Sequence, residues 1–455
     1  MKRLFPFICL ACLMPQSACG QEISGSWKGK LSLGMTELNI VFHIQKNGDS
    51  TVCKMESPDQ GAKDIDTKVD YISADSLRLS VPSLGAAYSG HLADGTIKGE
   101  FAQAGYRFPL SLKQGTVIQN RPQTPIPPYP YTSKEVTFIN PDDGAVLSGT
   151  ITYPAGYGKN KKKAPMPVVL MVTGSGLQDR NEEVFGHKPF LVMADFLARN
   201  GIASLRYDDR GFGKSTGDVR KATTVTFKND AKAGLCFLRQ LNEFDKIGVL
   251  GHSEGGTISF ILGAEGITDF VISMAGTAVR GDKIIIEQNR AALTLAGMQE
   301  EAVQAYCKTL EKVYEHKVHD KEQGTPEIIL EQILKDNNIS LQETAKANVL
   351  RIMTMDNAWM SHFLSYNPAE DIRSISCPVL AINGDLDTQV LSKINLPEIK
   401  RLLPEGKHNI VKEYHGLNHP FQHATTGAVT EYAKLEETIS EEVMKDIADW
   451  INSLD

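Results

Sequence analysis

Gly251-His252-Ser253-Glu254-Gly255 stands between an apolar run, Lys246–Leu250, and a helix-compatible stretch that starts near Thr257. A chain that passes from strand to helix within so few residues must turn sharply, and only small residues fit two before and two after the serine. The serine is then strained and lifts its hydroxyl above the sheet edge, with the N-terminus of the following helix behind it. Gly256 adds a further small residue at the turn. The arrangement predicts Ser253 as a nucleophile, carried on a sheet whose strands alternate with helices.

A serine hydroxyl attacks only when a base takes its proton, and that base must be oriented by an acid. Both are expected later in the chain, beyond the ends of further strands. After Pro378–Ile382 comes Asn383-Gly384-Asp385-Leu386-Asp387-Thr388-Gln389-Val390, which holds two carboxylates. The Gly-x-x-Asp-x-x-Val pattern favours Asp387 as the acid; Asp385 is the alternative, with capping of the turn as its structural role. After Ile410–Tyr414 comes His415-Gly416-Leu417-Asn418-His419-Pro420. His419 follows a glycine-containing turn and is read as the base, with His415 and His423 as exposed bystanders. Acyl transfer also needs N–H donors for the developing oxyanion. One candidate is the Glu254 N–H, directly after the nucleophile. The other is the Ser175 N–H, in the loop Thr173-Gly174-Ser175-Gly176-Leu177-Gln178-Asp179-Arg180 that follows Val168–Val172, with Gly176 next in line. The loop lacks the Gly-Lys-Ser/Thr ending of a phosphate loop.

Eight short apolar runs, Val136–Ile139, Leu147–Tyr153, Val168–Val172, Ala203–Tyr207, Ile247–Leu250, Phe270–Met274, Val379–Ile382 and Ile410–Tyr414, alternate with helical patterns such as Lys188–Asn200 and Phe227–Glu243. This rhythm predicts an α/β fold with a mostly parallel sheet covered on both faces. About 95 residues separate Met274 from Val379, and within them Val303, Tyr306, Leu310 and Val313 recur at helical spacing. Inserted beyond a strand's C-terminal end, they predict a helical cap over the site, about residues 280–372 of a catalytic domain spanning 133–455.

Residues 21–118 have another texture. Leu38, Ile40, Phe42 and Ile44 alternate with Asn39, Val41, His43 and Gln45, and Asn47-Gly48-Asp49 and Asp94-Gly95 are turn signals. These predict a small antiparallel β domain, a barrel or sandwich; Gly25-Ser26-Trp27 resembles the opening of lipocalin-like barrels. Between them, residues 119–132 hold Pro122, Pro125, Pro127, Pro128 and Pro130, which favour extended polyproline structure and read as a linker. Residues 1–20 have the layout of a secretory signal: Lys2-Arg3, the apolar run Leu4–Met14, then small residues before Gln21. An exported protein, periplasmic or secreted, is expected. Lipidation of Cys19 is the competing reading and would supply the one membrane attachment, since no later stretch reaches the length of a membrane span.

The segment from about residue 133 to the end resembles an α/β-hydrolase: an eight-stranded, mostly parallel sheet with helices on both faces and a helical cap. The order Ser253, Asp387, His419 is that superfamily's order of nucleophile, acid and base. Thr173–Gly176 with Asp179-Arg180, Tyr207–Ser215 and Gly251–Gly256 are similar to a branch of esterases and serine-aminopeptidase-like proteins. Leu177 stands where that branch is expected to carry proline. The resemblance implies hydrolysis of a small-molecule carboxylic ester through an acyl-enzyme, with no cofactor. A serine aminopeptidase-like peptidase is the alternative, in which Glu254 or a cap carboxylate such as Asp356 would anchor a substrate amine. A reading of another class is a non-catalytic glycan- or lipid-binding surface protein.

Composition narrows partners. With 48 basic and 55 acidic residues the net charge is −7, and loss of Lys2 and Arg3 with the leader makes it −9, so nucleic acid is not expected as a partner. Cys53, Cys236, Cys307 and Cys377 are scattered and read as small buried hydrophobes. His187 and Glu182-Glu183 lie near the candidate oxyanion loop without ligand spacing, so no metal is expected. Asp208, Asp209 and Arg210 are read as braces of the site. Trp359, Phe363 and Tyr366 suit either an acyl-pocket wall or one packed helical face. The oligomeric state leaves no mark on the sequence.

Overall fold

The computed structural model describes residues 23–33, 37–48, 50–157, 166–319, 324–355 and 357–454. The leader with Cys19, Asp49 of the first turn signal and Asp356 lie outside the described residues. The chain divides after Ile118 into two compact units.

The first unit is a closed barrel of eight antiparallel strands in sequence order. These are β1 (Gly25–Ser32), β2 (Glu37–Asn47), β3 (Ser50–Ser57), β4 (Ala62–Ile72), β5 (Ser76–Val81), β6 (Ala86–Ala93), β7 (Thr96–Gln103) and β8 (Tyr106–Gln114). Closure comes from β1 pairing with β8, Trp27 opposite Gln114. Period-two alternation puts Ile40, Phe42 and Ile44 inside. Together with Trp27, Tyr88 and Phe101 they make the interior a packed core, as the width of an eight-stranded barrel allows. The Tyr88 hydroxyl lies within hydrogen-bonding distance of the Ile97 and Leu110 carbonyls, 3.2 Å from each, which meets the polar requirement of a buried phenol.

Among its described residues the second unit holds one eight-stranded sheet, built from β9 (Thr132–Ile139), β10 (Val146–Tyr153), β11 (Pro167–Val172), β12 (Ala203–Tyr207), β13 (Lys246–His252), β14 (Phe270–Met274), β15 (Val379–Gly384) and β16 (Ile410–Tyr414). Their spatial order is β9-β10-β12-β11-β13-β14-β15-β16. β9 and β10 run antiparallel to their neighbours; from β12 to β16 every pair is parallel. This is the α/β-hydrolase fold. Successive side chains of the central strands serve opposite faces: Val168 and Leu170 pack with Leu235, Leu238 and Ile258, whereas Val169 and Met171 pack with Leu197, Val443 and Ile447. Because both faces are covered, the strands read as continuous apolar runs rather than alternating ones.

Among the described residues, six helices lie in the interval between β14 and β15: Gly281–Leu295, Glu300–His319, Pro326–Asp336, Glu343–Thr354, Ala358–Ser365 and Ala369–Ser374. Val303, Leu310 and Val313 are fully buried and Tyr306 nearly so, forming a separate cap core with Leu330, Leu334 and Val349. The proline-rich stretch from Gln119 belongs to the second unit. Arg121 donates to the carbonyls of Phe185, Ala433 and Leu435, and Gln123 bonds the backbone of Thr438 and Ile439. All four cysteines beyond the leader are free thiols, but two depart from the expectation of burial: Cys377 is only half-buried, and Cys236 is exposed, on the solvent side of helix Thr224–Leu241, whose Ala231, Leu235 and Leu238 face the core. Among the described residues no helix is long and apolar enough to cross a membrane.

Candidate active site

The sharp turn at the end of β13 is as small as the glycine pattern requires. β13 runs two residues further than its apolar core, through His252, because its pairing continues to Gly251 on the β11 side and to His252 on the β14 side. Ser253 then takes φ 56°, ψ −117°, and helix Glu254–Ala264 starts at the next residue rather than near Thr257. A Cβ on Gly251 would sit 1.9 Å from the Gly255 carbonyl oxygen, and one on Gly255 would sit 2.1 Å from the Val172 carbonyl oxygen. No side chain fits at either place. A left-handed φ at a non-glycine residue costs energy and persists only where the surroundings impose it.

The loops at the C-terminal ends of β11, β13, β15 and β16 meet above this turn, where a parallel sheet places its binding crevice. His419, after β16, donates Nδ1–H to Asp387 Oδ2 at 2.7 Å, and both side chains are buried. Asp387 Oδ1 accepts from the backbone N–H groups of Gln389 and Val390, each at 2.8 Å. The carboxylate is thus held by three donors and aimed at one ring. Asp385 instead pairs with the exposed His415 at 2.6 Å and accepts from Gly416 N–H, while His423 pairs with Glu437. Of the two candidate acids, it is Asp387 that shares a site with His419.

Ser253, His419, Ser175 and Glu254 all line one cavity of about 310 Å³. Gly174 is pressed onto the turn, since a Cβ there would lie 3.2 Å from Ser253 Cβ. Its N–H is taken by Glu182 Oε1 at 2.9 Å, leaving Ser175 as the next backbone donor of the loop. Much of the rest of the wall is apolar, with Phe190, Met193, Ile284, Ile285, Phe363 and Ile439, while Thr277, Gln288 and Gln389 add polar groups. Trp359 and Phe363 line the cavity as a stacked pair with ring centroids 5.2 Å apart. Tyr366 does not share that role; its hydroxyl bonds Asp371.

The bracing triplet behaves as such. Asp208 accepts from Arg180 through side chain and backbone. Arg210 is clamped between Asp230 and Asp143. Asp209 accepts from Thr173 Oγ1 at 2.8 Å and from Gln178 N–H at 2.9 Å, so it holds both ends of the loop around Ser175. Burial pushes its carboxyl up to about 7. His187 is buried against Thr438, Gln422 and the Tyr432 carbonyl, and burial with the nearby Arg121 charge lowers its pKa to about 4.

Two connections were not legible in the sequence. The Glu254 side chain turns inward, where Oε1 accepts from Thr224 Oγ1 at 2.7 Å and from the Trp359 indole N–H at 2.8 Å; burial raises its carboxyl above the ordinary range. Glu182 reaches the ring of His252 at 2.9 Å. Residue types alone carry no sign of these contacts, because they join segments 30 to 105 positions apart.

A family model described as X-Pro dipeptidyl-peptidase (S15 family) matches residues 143–425. The chain belongs to the S15 peptidase family. The S15 match begins within the second unit and includes Ser253, Asp387 and His419. Esterase EstD of Thermotoga maritima is 25% identical over 313 residues, 68% of this chain and 65% of that protein; the match thus spans just under two thirds of the relative's length. Among solved structures, ferulic acid-bound Est1E from Butyrivibrio proteoclasticus is similar at 17% identity, covering 70% of this chain and 98% of that one, with a TM-score of 0.41. The Pyrococcus furiosus esterase Pf2001 is similar at 16% identity, covering 74% and 98%, with a TM-score of 0.42. Family and fold place this S15 member in the α/β-hydrolase superfamily.

Proposed function

We propose that this S15 family member hydrolyses carboxylic esters with an uncharged acyl group, through a Ser253-His419-Asp387 triad. His419 takes the Ser253 proton, and the hydroxyl oxygen attacks the ester carbonyl. The Glu254 and Ser175 N–H groups receive the oxyanion. His419 then protonates the leaving alcohol, and water, activated by the same ring, releases the acid. Asp387 keeps the ring in one tautomer and stabilises its cation.

The observation that carries the choice of ester is the state of Glu254. A peptidase that reads a free amino terminus needs an open carboxylate in its pocket. Glu254 lines the cavity but spends its Oε1 on Thr224 and Trp359, and Glu182 spends its Oε1 on Gly174 and His252. Family membership favours the second reading, a peptidase, and esterase EstD favours the first. The test is a parallel assay of p-nitrophenyl acyl esters and aminoacyl-proline amides on wild type and Ser253→Ala. Ester turnover lost by about 10⁶ in the variant supports the proposal; amide turnover exceeding ester turnover overturns it in favour of the peptidase. A protein that does neither, yet is stabilised by glycans or lipids, would be a binding protein.

Export belongs to the same reading. The mature chain starts at Gln21, and mass spectrometry of the N-terminus decides between that start and a lipidated Cys19.

A further inference from the structure

The donor and acceptor inventory around His252 admits few solutions. Its Nε2 lies 3.0 Å from the carbonyl oxygen of His419. A carbonyl only accepts, so Nε2 carries a hydrogen. Its Nδ1 lies 2.9 Å from Glu182 Oε1, which also accepts the Gly174 N–H at 2.9 Å. One more proton therefore sits between Nδ1 and the carboxylate. Glu182 holds its place with φ 54°, a left-handed backbone seldom imposed on a glutamate without cause. The two side chains are 5% and 14% exposed, too little for water to satisfy them instead.

We infer that Glu182 and His252 are positioning residues of the hydrolytic site: one hydrogen-bonded ion pair that fixes the loop bearing the oxyanion donor and the segment bearing the base. The inference rests on the ester-hydrolase reading above. Glu182 holds Gly174, one residue before Ser175. His252, one residue before Ser253, holds the backbone of His419, and the two imidazoles lie 4.7 Å apart. Loop, nucleophile and base are thereby tied through two side chains, neither of which has to touch substrate. The groups that face His252 are Glu182, His419 and Asp387. Burial disfavours its charge, but the Glu182 carboxylate in contact and Asp387 beyond outweigh this, so its pKa lies above the ordinary value.

Glu182→Gln tests this with little change of shape. A glutamine oxygen still accepts from Gly174, but the amide does not stabilise a cation on His252. A singly protonated His252 whose Nε2–H holds His419 has no hydrogen left for that oxygen. Expected is a fall in kcat of about 10- to 100-fold, the scale of a small misplacement of reacting groups, with KM within about threefold of wild type. Isotope-labelled His252 should show both ring nitrogens protonated in the wild type at neutral pH, and only one in Glu182→Gln. Unchanged kcat in a folded Glu182→Gln, a change confined to KM, or a singly protonated His252 in the wild type would each overturn the inference. Glu182→Ala is the stronger perturbation, with melting temperature as its control; should it fail to fold, the glutamine variant and the resonance measurement decide. Ser253→Ala is assayed alongside. Activity surviving in Ser253→Ala defeats the hydrolase reading, whereas activity lost there but retained in Glu182→Gln defeats the positioning inference alone.

Discussion

Trp359 of the cap donates its indole N–H to Glu254 Oε1 at 2.8 Å, one residue from Ser253. The cap wall is therefore registered against the nucleophile turn by a half-buried polar contact, and not by apolar packing alone. Trp359→Phe keeps an aromatic face and removes this bond. A loss on the order of 1 kcal/mol is expected, seen as a three- to tenfold rise in KM with kcat little changed. A p-nitrophenyl ester series of increasing acyl length reads it, and the longer chains that reach Trp359 should suffer most.

The two aspartates that compete in the sequence should separate in kinetics. Asp387→Asn leaves His419 facing an amide and favours the wrong tautomer, so kcat should fall by about 10⁴. Asp385→Asn touches only the exposed His415 and the Gly416 N–H, and kcat should stay within about threefold. Equal losses in the two variants would contradict the pairing of Asp387 with His419.

Asp209 makes the stability of the second unit depend on pH. Its carboxyl is pushed up to about 7 in the fold, with burial as the leading cause, against roughly 3.9 in an unfolded chain. The folded state thus holds this proton more tightly. The stabilisation is complete below about pH 4 and is lost as pH rises to about 7, up to roughly 4 kcal/mol. Asp209→Asn removes the titration. Melting temperatures of the two proteins at pH 5 and pH 7.5 check it: the advantage of wild type over variant should be larger at pH 5.

Arg210 is 1% exposed and pairs with Asp230, itself 2% exposed, at 2.6 Å. Arg210→Met would leave the Asp230 carboxylate buried without its cation. Removing one partner of such a pair costs about 3–5 kcal/mol. Calorimetry should show a melting temperature lower by roughly 5–10 °C, and the loss should exceed that of Lys445→Met, whose ion pair with Asp449 is exposed.

Local patterns carried much of this fold. The eight apolar runs coincide with the eight strands of the sheet because strands covered on both faces must be apolar throughout. Val303, Tyr306, Leu310 and Val313 announced a cap helix because side chains three and four apart share one face. Gly251 and Gly255 marked the turn because no Cβ fits there. What could not be read were contacts between distant segments. Trp359 and Tyr366 looked alike as pocket candidates, yet the first meets Glu254 and the second meets Asp371.

By itself, then, the sequence determined the strand rhythm and the strained serine turn, since each follows from spacing within one stretch of chain, while the order of candidate nucleophile, acid and base came from the resemblance to the α/β-hydrolases. Only the tertiary structure decided that Asp387 rather than Asp385 faces His419, that Glu254 is committed to Trp359 and Thr224, and that Glu182 meets the ring of His252. These relationships depend on where separate loops meet above the sheet. A hydrogen bond a few ångströms long is set by that meeting and by the burial that excludes water from it.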